Sequence, residues 1–134
     1  MTFRIERRSG VAAYQQIVNQ TRLALRLGRL VPGDKLPSAA EVVATSAINP
    51  NTVLKAYRAL ENEGLVEARQ GVGTFVRRSL AQPGTAADSP LRDSLRSWMD
   101  AARAADLDRE DVAALMSALL DECFPHGADT PVNG

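Results

Sequence analysis

The stretch 49–62, NPNTVLKAYRALEN, sets amides and cations at helical intervals: Asn51, Lys55, Arg58 and Asn62 follow one another every three or four residues. None of these groups is a nucleophile or base at neutral pH. Their chemistry is recognition: an amide donates and accepts at once, as adenine's major-groove edge requires, while Lys and Arg answer guanine or phosphate. At the mouth of the same stretch Asn49 suits an N-cap, Pro50 the first helical position, where its missing N–H costs nothing, and Thr52 the rest of the first turn. Asn51 has no such structural use, being of middling helix propensity and without a capping role. It is the candidate base reader. Backbone N–H groups at a helix N-terminus also attract phosphate, which places Pro50 and Asn51 at an anion site.

Little else in the chain could make or break a bond. Of 134 residues 45% are hydrophobic and only 4% aromatic, and the single Cys123 and single His126 both lie near the C-terminus. Metal cages and nucleophile–base pairs lack their materials, so neither an enzyme nor a cofactor is expected. The start MTFRIERRSG has no apolar core of the signal-peptide kind, and no apolar run approaches the roughly 20 residues that span a bilayer. A cytoplasmic protein without a membrane partner is the expectation. The zero net charge hides an asymmetry: residues 1–78 hold 12 Lys/Arg against 6 Asp/Glu, and residues 79–134 hold 4 against 10. A basic half joined to an acidic half suggests a polyanion-binding module carrying a separate segment.

The elements that must position these residues follow from periodicity. Phe3 and Ile5 alternate with Arg4 and Glu6, which suits a short edge strand. From 11 to 28, Tyr14, Ile17, Val18, Thr21, Ala24 and Leu25 fall at helical spacing. Leu23, Leu27 and Leu30 make a second stripe, expected to close the same core or otherwise to receive the C-terminal segment. VPGDKLP reads as a turn, and Ser38 with Glu41 has capping-box spacing for a second helix through about Thr45. The third helix runs from NPNT to ENEG, with Val53, Ala56, Tyr57 and Leu60 buried and Gly64 as its left-handed stop. LVEAR and TFVRR, joined by QGVG, then read as a hairpin.

Three helices followed by a hairpin is the layout of a winged helix-turn-helix, in which the third helix enters the major groove. Asn51, Lys55 and Arg58 would meet the DNA there. The wing adds Arg69, Gln70, Arg77 and Arg78, and Gly71 and Gly73 would let its backbone approach the sugar-phosphate chain. The expected fold is therefore mainly α with a small β-wing. An alternative is a winged-helix interaction module whose basic face meets an acidic partner protein.

GRLVPGDKLPS, INPNTVLKAYRALENEGLV and GVGTFV, in that order, resemble the DNA-binding domain of GntR-type bacterial transcription regulators over about residues 3–78, and NPNTV.KAY..LE..GLV is similar to their small YtrA-like branch. The resemblance implies a homodimeric repressor on a palindromic double-stranded DNA operator. It also brings Ser38 and Thr74, within matched motifs, into the candidate DNA-binding set with Asn49, Pro50, Asn51, Thr52, Lys55, Arg58, Arg69, Gln70, Gly71 and Gly73. Two positions depart from the family's pattern. Ala40 stands where an Arg after LPS is usual, which removes one contact, and Leu54 stands where larger relatives carry an arginine. Leu54 meets either a thymine methyl or the domain's edge.

SLAQPGTAADSP, 79–90, has the small and polar composition of a linker, and PHGADTPVNG from 125 onward that of a disordered tail. Between them, 91–124 reads as two helices. Ser89 and Pro90 start the first, which carries Leu91, Leu95, Trp98 and Met99; Asp108 opens the second, with Val112, Leu115, Met116, Leu119, Leu120, Cys123 and Phe124 at intervals of three and four. Two such helices cannot hide both stripes against one another. These residues are the expected dimerisation surface, with Trp98 as anchor, unless they fold back on the first helix. No effector pocket is recognisable, and the sequence names no small-molecule effector.

Overall fold

Val53, Ala56, Tyr57 and Leu60 recur at i, i+3, i+4 and i+7, and all four are buried, so one face of their helix is committed to the core and the other to solvent. The computed structural model describes residues 1–85 and 88–126. They fall into two units, Met1–Ser89 and a second that begins at Pro90. In chain order the elements are α1 (Ala13–Arg26), α2 (Ala39–Ser46), α3 (Pro50–Asn62), β1 (Val66–Arg69), β2 (Gly73–Val76), a 3₁₀ turn (Pro83–Thr85), α4 (Pro90–Ala104) and α5 (Arg109–Cys123). The protein is mainly helical with a small antiparallel wing, as the periodicity predicts.

In the first unit α1 and α3 face each other. Ile17, Val18, Ala24 and Leu25 from α1 meet the α3 stripe, and Phe3, Leu36, Val42, Leu65, Val66 and Val76 complete the core. Thr21 is fully buried among them and satisfies its hydroxyl by donating to the Ile17 carbonyl at 2.8 Å. The Arg22 guanidinium pairs with Glu63, tying α1 to the end of α3. The helix ends follow the sequence signals. Ser38 and Glu41 close a capping box on α2, and Gly64 takes φ +76° just past α3, where any other residue would be strained.

Four expectations need correction or refinement. Residues 3–6 are not a strand. Gln16 and Gln20, one turn apart on α1, do the work of a pairing strand: Gln20 accepts from Arg4 N–H at 2.9 Å and donates to its carbonyl at 2.7 Å. Gln16 treats Glu6 in the same way, at 2.7 and 2.8 Å. Side-chain amides thus satisfy the alternate backbone groups that a neighbouring strand would have taken. The VPGDKLP segment is more than a turn. Lys35 bridges Phe75 in antiparallel fashion, Leu36 N–H donates to the Thr74 carbonyl and Val76 N–H to that of Asp34, so β2 is flanked on both sides.

The leucine stripe separates. Leu30 is buried and Leu27 half-buried, but Leu23 is 53% exposed. It stands two residues from both Thr21 and Leu25, and two helical residues are 200° apart, so it points away from the core they face. Part of the expected linker is bound to the first unit: Leu80 packs on its core and the Thr85 hydroxyl donates to the Arg26 carbonyl at 2.8 Å. Residues 86–87 of the linker and 127–134 of the expected tail lie outside the described residues.

The outer strand of the wing, β1, pairs with β2 on one side only, in the register Val66↔Val76 to Arg69↔Gly73. On its free side the Ala68 N–H donates to the Glu61 carboxylate of α3 at 3.0 Å.

The second unit is a helix, a turn and a helix. Asp106 takes φ +64° in the turn, and Asp108 and Asp111 form a reciprocal capping box on α5. Among the described residues no helix is long and apolar enough to cross a membrane.

Candidate nucleic-acid interface

The outward face of α3 exists because its inward face is fully used. With Val53, Ala56 and Leu60 inaccessible to solvent, Asn51, Lys55 and Arg58 are left exposed on the other side. The two asparagines divide their duties. Asn49 Oδ1 accepts the Asn51 backbone N–H at 2.8 Å, the cap that its side chain predicts, with Pro50 at the first helical position. The Asn51 side-chain amide finds no partner among the described residues and projects into solvent. Thr52 is half-buried at the same helix start, and its N–H donates to the Asn49 carbonyl. The Lys55 ammonium lies over the Tyr14 ring of α1, 4.0 Å from its centroid. Leu54 is 42% exposed, so burial at the domain's edge does not account for it.

The turn into α3 is held from two sides. Ala47 adopts a left-handed conformation, φ 52°, at the end of α2, and Arg7 Nη2 donates to its carbonyl at 3.3 Å. The Tyr57 hydroxyl donates to the Pro37 carbonyl at 2.6 Å, fastening α3 to the segment that leads into α2. Burial holds this phenol above its ordinary range, and the Glu41 carboxylate adds to the effect. The Ser38 hydroxyl accepts the Glu41 N–H at 3.1 Å as the α2 cap and remains at the surface.

The wing presents its candidates unequally. Gln70 and Gly71 form the exposed tip together with Val72, Gly73 and Thr74 are half-buried, and the turn is closed by Val72 N–H to the Arg69 carbonyl. Arg69 is engaged: its guanidinium donates to Glu67 at 2.9 and 3.1 Å and stacks 4.5 Å from the Phe75 centroid. Arg77 and Arg78 follow β2, exposed, with their N–H groups on the Leu65 carbonyl. Sequence reasoning missed three residues that shape this surface. Tyr14 looked like ordinary core, Arg7 had no periodic context, and Lys35 was hidden in an apparent turn. The signal available for Lys35 was its charge between two turn residues and a leucine destined for the core.

Comparison with known proteins follows the same outline. Residues 13–76 match the model of the bacterial regulatory proteins of the gntR family. Over 72 residues the chain is 44% identical to the HTH-type transcriptional repressor YtrA of Bacillus subtilis (strain 168), a match that covers 54% of this chain and 55% of that relative. It is 33% identical over 99 residues to the uncharacterized HTH-type transcriptional regulator YhcF of the same organism, covering 74% of this chain and 82% of that one. Among solved structures it is similar to YtrA from Sulfolobus acidocaldarius, a GntR-family transcription factor, at TM-score 0.52 and 27% identity over 89% of this chain and 97% of that one.

Proposed function

The chain belongs to the gntR family of bacterial regulatory proteins and is a DNA-binding transcriptional regulator, and from that premise we propose a homodimeric repressor that grips a palindromic operator with one α3 in each half-site. The observation that carries this reading is the division of α3 into a fully buried apolar face and an exposed face bearing Asn51, Lys55 and Arg58. Residues 1–78 are the winged helix-turn-helix, 79–90 the connection and 91–124 the dimerisation segment, in a cytoplasmic protein. Asn51, Thr52, Lys55 and Arg58 meet bases or phosphates in the major groove. Asn49 and Pro50 set the helix start against a phosphate. Ser38, Gln70, Gly71, Gly73 and Thr74 lie along the backbone.

Repression is favoured by the name of the YtrA relative in Bacillus subtilis. Dimerisation is favoured by α4, α5 and the residue that follows it, where Leu91, Leu95, Leu115, Leu119, Leu120 and Phe124 are 42–75% exposed. Full burial of each such side chain is worth about 1.5–3 kcal/mol, enough in sum to offset the entropy of association. A lone winged helix would hold one half-site only.

Fluorescence anisotropy with random and selected duplexes at two salt concentrations, beside sedimentation of the full chain and of a truncation after Ser89, tests the proposal. Steep salt dependence is expected, with a dimer for the full chain and a folded monomer after truncation. Absence of duplex binding at low salt overturns the DNA-binding mechanism. A truncated chain that still sediments as a dimer moves the interface into the first unit.

A further inference from the structure

Two cations, Arg69 and Lys35, stand at the turn end of the wing's hairpin, with Arg77 and Arg78 beyond the other end of β2, and the structure treats the two differently. Arg69 already has a counter-charge in Glu67 and a stacking partner in Phe75. Lys35 reaches the hairpin from the opposite side of β2, through its bridge to Phe75. Its side chain runs over Gly73: a Cβ placed on that glycine would stand 2.6 Å from Lys35 Cε and 3.5 Å from Nζ. The register Arg69↔Gly73 puts this crossing at the last pair of the ladder, next to the exposed Gly71 and Val72. Among the described residues no carboxylate lies within ion-pair distance of the Lys35 ammonium, which is exposed.

We propose that Lys35 is the cation by which the wing holds a DNA phosphate, in place of Arg69, and that the bare main chain of Gly73 is what lets the lysine stem lie across the hairpin. The inference rests on the DNA-binding reading given above and adds a contact to it. An unpaired ammonium gains the full benefit of displacing a condensed counterion from a phosphate. Arg69 must first share or surrender Glu67, so its gain is smaller. Gly73 is suited to the crossing twice over, because its φ of +144° is open to glycine and because any side chain there would push Lys35 aside. The contact is made to backbone and carries no base preference.

The test is an anisotropy series with the full chain on a duplex selected from random sequence, taken as the operator, and on a random duplex, between about 0.05 and 0.3 M salt. Lys35→Met removes the charge and keeps a linear stem, with Lys35→Gln read in the same way should the methionine variant melt early; Lys35→Arg restores the charge. The salt slope of Lys35→Met is expected to be shallower by about 0.9, with affinity at 0.1 M salt lower by roughly five- to tenfold on both duplexes. Lys35→Arg is expected to recover both, and Arg69→Met to flatten the slope less than Lys35→Met. If the parent chain binds with a steep slope and Lys35→Met leaves that slope unchanged, the inference fails and the DNA-binding reading stands. A loss seen on the operator but not on the random duplex also overturns it, since that is the mark of a base contact. If the parent chain binds neither duplex at low salt, both fail together.

Discussion

The Lys55 ammonium stands 4.0 Å from the centroid of the Tyr14 ring, so a cation on the outward face of α3 is held by an aromatic residue of α1. The ring's negative face orients the lysine before any ligand arrives, which leaves less side-chain freedom to lose on binding.

A double-mutant cycle with Tyr14→Leu and Lys55→Met should show a coupling of about 0.5–1 kcal/mol in thermal unfolding. Additive effects would mean that the contact has no energetic content. In binding, Lys55→Ala separates two roles: a flatter salt slope assigns the ammonium to phosphate, and a lost preference at one position assigns it to a base.

Asn49 and Asn51 should fail differently. Asn49→Ala removes the acceptor of the Asn51 N–H and is expected to cost about 0.5–2 kcal/mol of stability. Its effect on DNA should be even across operator variants. Asn51→Ala should melt with the parent and relax preference at one base pair per half-site by about 1–3 kcal/mol. A melting curve beside a binding series over single-base variants decides. Destabilisation by Asn51→Ala with every variant keeping its rank would make that amide structural.

Ala47 is exposed and left-handed at φ 52°, a conformation that costs a residue with a Cβ about 1–2 kcal/mol. Glycine removes that strain at an entropic cost of about 0.5–1 kcal/mol. Ala47→Gly should therefore raise stability by about 0.5–1 kcal/mol in a denaturant titration. A clear fall in the midpoint at unchanged slope would refute the strain.

Tyr57 makes stability depend on alkaline pH. Its phenol ionises less readily folded than unfolded, first because it is buried and then because Glu41 is near. The raised value means that its contribution is complete below the unfolded pKa of about 10 and is lost as pH rises beyond it, by at most about 1.4 kcal/mol per pH unit. Tyr57→Phe should flatten this decline, while costing about 1 kcal/mol at neutral pH through the lost bond to the Pro37 carbonyl. An identical alkaline slope in the variant would place the decline elsewhere.

The parts of this protein that follow local rules could be read directly. Periodic burial found α1 and α3, and capping chemistry at Ser38, Asn49 and Asp108 found helix starts to within a residue. What escaped depends on partners distant in sequence. The alternation at 3–6 is real, yet whether it becomes a strand depends on what lies alongside, and here Gln16 and Gln20 occupy the place. Lys35 reads as a turn residue until β2 is set beside it. The exception is local: Arg69 pairs with Glu67 only two residues away, a contact that the alternation of a strand places on one face but that was not drawn from the sequence.

The bond from Ala68 N–H to Glu61 also bears on what the outer edge of the wing offers to another strand. A two-stranded wing with an open outer strand is a template on which another copy's wing could add, strand to strand, into a growing sheet. The flanking segment around Lys35 covers one margin of β2, and the Glu61 carboxylate takes one outward N–H on β1, which leaves fewer free backbone groups for a neighbour's strand to pair with.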